Sequence, residues 1–311
     1  MNQLLPFFVC AFLLFSEHIQ CQITDKHFRI YSAKADKEVS FSEIISDMEG
    51  HDVLFFGEEH NDSVGHYLEQ AIFEAMYAKF NKGIALSMEM FDRDVQDVMN
   101  EYLRGDIREK NFTKDARVWS NYRDYKPMVE FAKNKGLDVI CANAPSRYTN
   151  LVGRKGQAAL KSLGQESKSN FAPLPFDTAS GKYYEKLMSL SHSPAPKTPD
   201  TTAKKAPAMM PMGGFNLVMG QSLWDATMAY SISEYLKKNK KQKVFQVNGR
   251  FHSDEGFAIV TQLKKYSPKV KSLVISTGSD DNYPNIKWED HKHEGDYIIS
   301  TDPSIPKTYK E

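Results

Sequence analysis

The chain has 311 residues, 40 Lys+Arg against 40 Asp+Glu, and a hydrophobic fraction of 41%. That apolar content supports a sizeable core and excludes a disordered chain, and the lack of net charge excludes an electrostatic grip on DNA or RNA. Three cysteines exclude a disulfide scaffold, while 19 Phe, 15 Tyr and 3 Trp suit a large core and a flat organic ligand alike.

Leu4 to Phe15 is one apolar run, broken only by Pro6 and Cys10. It has the length of a signal-peptide core and is too short to span a bilayer. Residues 1–21 are therefore expected to be an export signal removed near Cys21, although only the α-amino group supplies positive charge ahead of the run. Cys21 has two readings, a small residue at the cleavage site or the lipid-bearing first residue of a mature lipoprotein. Gln20 stands where a lipoprotein signal normally carries a small residue. With the leader gone, only Cys141 remains and no internal disulfide can form.

Asp52 to Phe56 is a short apolar run ending at Gly57, which predicts a buried strand. From Asp62 to Phe80, Leu68, Ile72, Met76 and Phe80 recur every four residues, the spacing of an amphipathic helix that Gly83 stops. Ile84 to Phe91 predicts a second strand and Asp92 to Leu103 a polar helical stretch. A helix near Lys126 to Lys135 ends at Gly136 and feeds a third strand, Leu137 to Ala142. The stretch from about 163 to 214, rich in Ser, Pro, Lys and Thr with Met209, Met210 and Met212 near its end, predicts a mobile, partly helical insert. The pattern then resumes. Leu217, Trp224, Met228, Ile232 and Tyr235 share one face of a long helix, followed by a strand (Lys243–Asn248), a helix (Ser253–Lys265), a strand (Lys271–Ser276) and an edge strand (Asp296–Thr301). Continuous apolar strands alternating with helices imply an α/β fold, a mostly parallel central sheet flanked by helices with a helical or irregular insert, in a single domain over 22–311.

Ligands of open parallel sheets collect beyond the carboxyl ends of the strands. The first strand ends in Gly57-Glu58-Glu59-His60-Asn61-Asp62, the second carries Glu89, and the late strand ends in Asn248-Gly249-Arg250-Phe251-His252. Glu58, His60, Glu89 and His252 supply the components of a metal site or an acid/base pair, and equally of a buried network tying strand ends together. Asp62 reads as a helix cap. Glu89, flanked by apolar residues, needs a cation or imidazolium beside it.

The third strand leads into Ala144-Pro145-Ser146-Arg147-Tyr148, with Arg154 and Lys155 following. Positive charge around Tyr148 favours its phenolate, a hard oxygen ligand for ferric haem, and Arg147, Arg154 and Lys155 can pair with propionates. The competing reading is a tyrosine packed at a helix start beside solvated basic residues. His192 and the three clustered methionines carry metal-ligating atoms, or are a chance collection on a mobile loop.

Six motifs occur in order between about Asp52 and Ser276. They are Gly57-Glu58-Glu59-His60-Asn61, Glu89-Met90-Phe91, Trp119 with Tyr122-Arg123-Asp124-Tyr125-Lys126-Pro127, Ala142-Asn143-Ala144-Pro145, Gln221-Ser222-Leu223-Trp224-Asp225 and Gly249-Arg250-Phe251-His252. Together they resemble the ChaN family of haem-binding, iron-regulated proteins, within the superfamily that includes Tiki proteases, TraB proteins and erythromycin esterases. The resemblance implies an exported protein, periplasmic or outer-membrane associated and often lipid-anchored. It implies haem held by a tyrosine at a protomer interface, hence a haem-linked homodimer, and an outer-membrane haem transport partner. Tyr148 is the position carried over as iron ligand, with Tyr183 and Tyr184 as rivals. Ser146, where an arginine is common, the long methionine-rich insert and the poor lipobox depart from the family pattern. The wider superfamily implies an alternative, a hydrolase dependent on a divalent metal. In that case His60 and His252 are metal ligands or bases, and Glu58 and Glu89 their carboxylate partners. The expectation is a haem carrier or store of an iron- or haem-uptake system, without turnover and without a nucleic-acid partner, the hydrolase being the alternative.

Overall fold

The computed structural model describes residues 23–191 and 216–310. The leader run Leu4–Phe15, Cys21, His192, Met209, Met210 and Met212 lie outside the described residues. Strand β1 (Phe28–Ser32), the two-residue β2 (Lys37–Glu38) and helix α1 (Phe41–Asp47) open the fold. A repeating unit follows: β3 (Val53–Glu58), α2 (Ser63–Phe80), β4 (Ile84–Asp92), three helices α3 (Gln96–Arg104), α4 (Glu109–Asp115) and α5 (Tyr122–Lys135), then β5 (Val139–Asn143). Helices α6 (Ser146–Lys155), α7 (Gln157–Lys161), α8 (Gln165–Lys168) and α9 (Gly181–Ser191) precede the long α10 (Leu217–Lys238). The chain closes with β6 (Lys243–Gly249), α11 (Ala258–Tyr266), β7 (Ser272–Ser279), α12 (Trp288–His291) and β8 (Tyr297–Thr301). No described helix is long and apolar enough to cross a membrane.

Among the described residues the strands form one eight-stranded sheet in the order β2-β1-β8-β7-β3-β6-β4-β5. Pairing is parallel from β8 to β5, and β1 and β2 add antiparallel strands at the far side. The expected edge position of the last strand is therefore corrected: β8 lies inside the sheet, because the N-terminal β1 pairs along its free side.

Side-chain alternation along each strand sorts the core into two layers. Leu54 and Phe56 of β3 face α2 and α5, in a cluster with Leu68, Ile72, Phe73, Val129 and Phe245. Val53 and Phe55 face α10 and α11, in a cluster with Met228, Ala229, Ile232, Ile259 and Leu263. Both faces of the strand are covered, which is why its sequence is a continuous apolar run. The start of the insert is itself packed, with Phe171, Ala172 and Phe176 buried against Tyr148, Val152, Leu223 and Ala226.

The helix expected over Ser253–Lys265 starts later, at Ala258. Glu255 (φ 61°) and Gly256 (φ 69°) are left-handed, so the preceding residues form two short 3₁₀ turns, Arg250–His252 and Asp254–Gly256. This interruption sets His252 directly at the carboxyl end of β6.

Candidate functional site

Successive strands β3 and β4 are separated in the sheet by β6, so the carboxyl ends of these three strands border one crevice. Gly57 permits their close approach. A methyl group there would stand 2.8 Å from Arg250 Cα, backbone that has no freedom to withdraw. Gly249 acts similarly, since a methyl at that position would lie 2.9 Å from His60 Nε2 and 3.7 Å from Glu89 Oε2. His60 and Glu89 thus sit against the same bare stretch of backbone, and Gly249 N–H donates to Glu89 Oε2 over 2.8 Å.

The crevice is built around two histidines, each oriented by a buried carboxylate through Nδ1. His60 Nδ1 lies 2.8 Å from Glu58 Oε1. His252 Nδ1 lies 2.6 Å from Asp225 Oδ1, and its Nε2 is 3.5 Å from Glu89 Oε1. Asp225 comes from α10 and also accepts from the Tyr183 hydroxyl of α9 at 2.7 Å. Tyr125 of α5 donates to Glu58 Oε1 at 2.8 Å, and Trp119 packs edge-on against the His60 ring at 5.3 Å. Carboxylate–histidine pairs of this kind fix the tautomer and leave Nε2 free for the crevice.

Electrostatics follow from burial and these partners. Burial disfavours the imidazolium of His252, but the charges of Glu89 and Asp225 outweigh it and raise its pKa to about 9. His60 is likewise drawn upward against burial by its hydrogen bond to Glu58 and by the charges of Glu58 and Glu89. Burial pushes the Tyr183 phenol well above its ordinary value, and the negative charge of Asp225 adds to the rise.

Beneath His60 lies a second layer that the sequence reading did not assign. His66 Nδ1 is 3.2 Å from Glu69 Oε2 and 3.4 Å from Glu58 Oε2, while its Nε2 lies 3.1 Å from the His60 carbonyl. Burial and the neighbouring Glu58 charge raise the Glu69 carboxyl well above its ordinary range. For Glu58, burial acts upward, but the hydrogen bond with His60 and the charges of His66 and His60 outweigh it and hold the carboxyl well below the usual value. The signal for this layer was present in the sequence: His66 and Glu69 share the apolar face of α2 with Leu68 and Ile72, where an unpartnered acid is too costly to place. Asp225 carried the same signal within the apolar stretch Leu223–Met228 of α10.

The tyrosines singled out in the sequence occupy different surroundings. Tyr148 is 6% exposed and packs edge-on against Phe171 at 5.0 Å. The Arg147 guanidinium lies 4.4 Å from the Tyr148 ring centroid and pairs with Asp94 at 2.6 Å. Arg154 and Lys155 are exposed, and Arg154 donates to Asn150. Tyr183 is buried on Asp225, while Tyr184 on the same helix is 43% exposed. A cavity of about 570 Å³ flanks α9, walled by Phe176, Lys182, Tyr183, Asp225, Phe257 and Gln262 among others.

The C-terminal segment straps the crevice loop. Thr308 N–H donates to the Asn61 carbonyl (2.9 Å), Ser63 Oγ donates to the Pro306 carbonyl (2.5 Å), and Lys307 Nζ reaches Glu59 Oε2 at 3.0 Å.

The model of the family described as "Haem-binding uptake, Tiki superfamily, ChaN" matches residues 44–263. No curated protein matches the chain by sequence. Among solved structures, one describing cofacial haem binding to ChaN of Campylobacter jejuni is 18% identical, covering 88% of this chain and 97% of that one, with a TM-score of 0.65. A type III effector, HopBA1, is 12% identical over 83% of this chain and 91% of its own, at a TM-score of 0.45. A mutant of the erythromycin esterase EreC in its open conformation is 10% identical over 81% and 77%, at 0.44. At 18% identity the likeness to the Campylobacter protein is one of fold.

Proposed function

The chain belongs to the haem-binding uptake family of the Tiki superfamily, ChaN, and on that premise we propose that it is an exported haem carrier, binding ferric haem as cargo through a tyrosine oxygen without turning it over. The observation that carries the choice of ligand is exposure. An iron ligand for haem stacked between two protomers must present its oxygen at the surface, and Tyr148 and Tyr183 are 6% and 7% exposed against 43% for Tyr184. The hydroxyl of Tyr183 is also already engaged by Asp225. We therefore take Tyr184 as the iron ligand. Phe176, Ala179 and Phe257 of the neighbouring cavity offer apolar contact, and Lys182 offers a cation for a propionate. Cofacial haem binding, described for the Campylobacter protein, suits an exposed ligand. Two protomers that stack their haems face to face shield apolar surface that one protomer leaves in water.

Titration of the full chain with hemin tests this. A saturable Soret band of the tyrosinate type is expected, together with a doubling of mass in solution. Tyr184→Phe should weaken binding about tenfold or more, the scale of losing a charged ligand contact, and Tyr148→Phe should leave it near wild type. Weak, unsaturable binding defeats the carrier reading. Loss of the band in Tyr148→Phe alone returns the ligand to α6.

One observation favours a second reading, a metal-dependent hydrolase. His60 and His252 are each backed by a carboxylate at Nδ1, and Glu89 Oε1 lies 3.5 Å from His252 Nε2. These are residue types that hold a divalent ion, although the donor atoms that converge within 4.8 Å among the described residues are those of Glu58, His66 and Glu69. Such an ion supplies a water of lowered pKa. Chelator-sensitive ester hydrolysis, lost in His252→Ala, would favour it over the carrier.

A further inference from the structure

We propose that Glu58, His66 and Glu69 form a buried site for one divalent transition-metal ion of the manganese, iron or zinc class, one layer beneath the crevice. The three side chains each bring one donor atom, and these atoms all lie within 4.8 Å of one another. They come from two rigid elements. Glu58 ends β3, and His66 and Glu69 are three residues apart on α2, whose first turn is fixed by Asp62 accepting from Val64 N–H at 3.0 Å.

Donor directions argue for a cation between them. His66 Nε2 faces the His60 carbonyl at 3.1 Å, an acceptor, so Nε2 carries hydrogen. Burial disfavours the His66 imidazolium, but the charges of Glu69, Glu58 and Asp124 outweigh it and raise the pKa to about 10. Nδ1–H therefore donates to Glu69 Oε2 at 3.2 Å with Glu58 Oε2 at 3.4 Å, and a metal ion would take that proton's place. Glu58 Oε1 is committed to Tyr125 and His60. Glu58 Oε2 and Glu69 Oε1 accept no hydrogen bond among the described residues, and neither does Asp124 Oδ2, 3.9 Å from His66 Nε2. Glu58 is 2% exposed and Glu69 fully buried. Two buried carboxylates need positive charge between them. The His66 imidazolium supplies one charge, whereas a divalent ion supplies two and would also engage Glu58 Oε2 and Glu69 Oε1.

One imidazole and two carboxylates are a hard-to-borderline donor set, suited to Mn²⁺, Fe²⁺ or Zn²⁺ and poor for soft ions. The surrounding contacts are those a ligand set needs: the histidine's distal N–H on a backbone carbonyl, and the far oxygen of Glu58 held by a phenol. The site also has a consequence above it. Glu58 bridges the ion and His60 Nδ1, so metal occupancy holds the His60 ring in place. This inference does not rest on haem binding, and it shares only Glu58 with the crevice above it.

The test uses full-length protein stripped with chelator and then incubated with manganese(II) or zinc(II) chloride alone. Metal retained after desalting is measured by emission spectroscopy. One equivalent is expected, weakened tenfold or more in Glu69→Gln and in His66→Gln and retained in His252→Ala. Retention of no metal by the wild type overturns the proposal, as does retention that survives Glu69→Gln and vanishes in His252→Ala. If the variants do not fold, anomalous diffraction from wild-type crystals soaked in manganese decides the matter. A peak among Glu58, His66 and Glu69 supports the site; a peak only at the crevice, or none, refutes it.

Discussion

Asp225 is the residue on which most of the crevice depends. It is 1% exposed and accepts from both Tyr183 and His252. Removing one partner of a buried charge pair typically costs about 3–5 kcal/mol, because the other charge is left uncompensated. Glu89 still faces His252 Nε2 at 3.5 Å. Asp225→Ala should therefore destabilise the protein by the lower end of that range, about 3 kcal/mol, in urea denaturation. Tyr183→Phe should cost only about 1 kcal/mol, a single hydrogen bond. A loss below about 1 kcal/mol for Asp225→Ala would mean that His252 is neutral and unpaired. At this scale legibility was uneven. Glu58, His60, Glu89 and His252 stood out because each sits where a strand stops, a place polar groups rarely occupy without a task. His66 and Glu69 carry as much of the network but lie inside a helix, where apolar periodicity dominates the pattern and an isolated acid reads as noise. Asp225 entered only as the last residue of the Gln221-Ser222-Leu223-Trp224-Asp225 motif, with no role read for it. The tyrosines show the limit most clearly. Nothing in Arg147-Tyr148 or Tyr183-Tyr184 tells which phenol is buried, since exposure is set by what packs across from it.

The strand β5 shows how an element's edge is managed. It ends the sheet, so its outward backbone groups have no strand to pair with. The side chain of Gln96 takes that role: its Nε2 donates to the Val139 carbonyl at 2.8 Å and its Oε1 accepts from Cys141 N–H at 2.8 Å. An amide side chain here mimics one rung of a ladder. Gln96→Ala should cost about 1–3 kcal/mol through two partly buried groups left unpaired, with faster amide exchange at Cys141. Unchanged exchange at Cys141 would show that water already reaches this edge. Elements of this kind divide by burial in how well they can be read. β3, β4 and β5 are covered on both faces and announce themselves as apolar runs. β1 is only half buried along Phe28–Arg29, and the two-residue β2 is exposed, so neither left a periodic mark. The break before α11 was equally silent, because Glu255 adopts a left-handed conformation that only Gly256 beside it hinted at.

For the whole molecule, the order of strands is what creates the site, and it is what a sequence hides best. β6 enters between β3 and β4 although the chain reaches it only after α10. Long crossovers leave no local trace, so the sequence showed His60 and His252 each at a strand end but not the strand order that makes those ends neighbours. The same long-range closure explains why the last residues matter. Deleting 306–311 removes the contacts of Pro306, Lys307 and Thr308 to the loop that holds His60. Exchange of the Asp62 amide, which donates to the Glu59 carbonyl, should then speed up about tenfold, for a loss near 1.4 kcal/mol of local stability. Equal exchange rates in the two proteins would show that the loop holds itself.

That strap turns the far end of the polypeptide into a handle on the chemistry. A fluorescent fusion or an affinity tag joined there acts on the strap's contacts with Glu59, Asn61 and Ser63, the residues on either side of His60. A reporter anchored near Thr308 is thus placed to sense what enters or leaves the crevice.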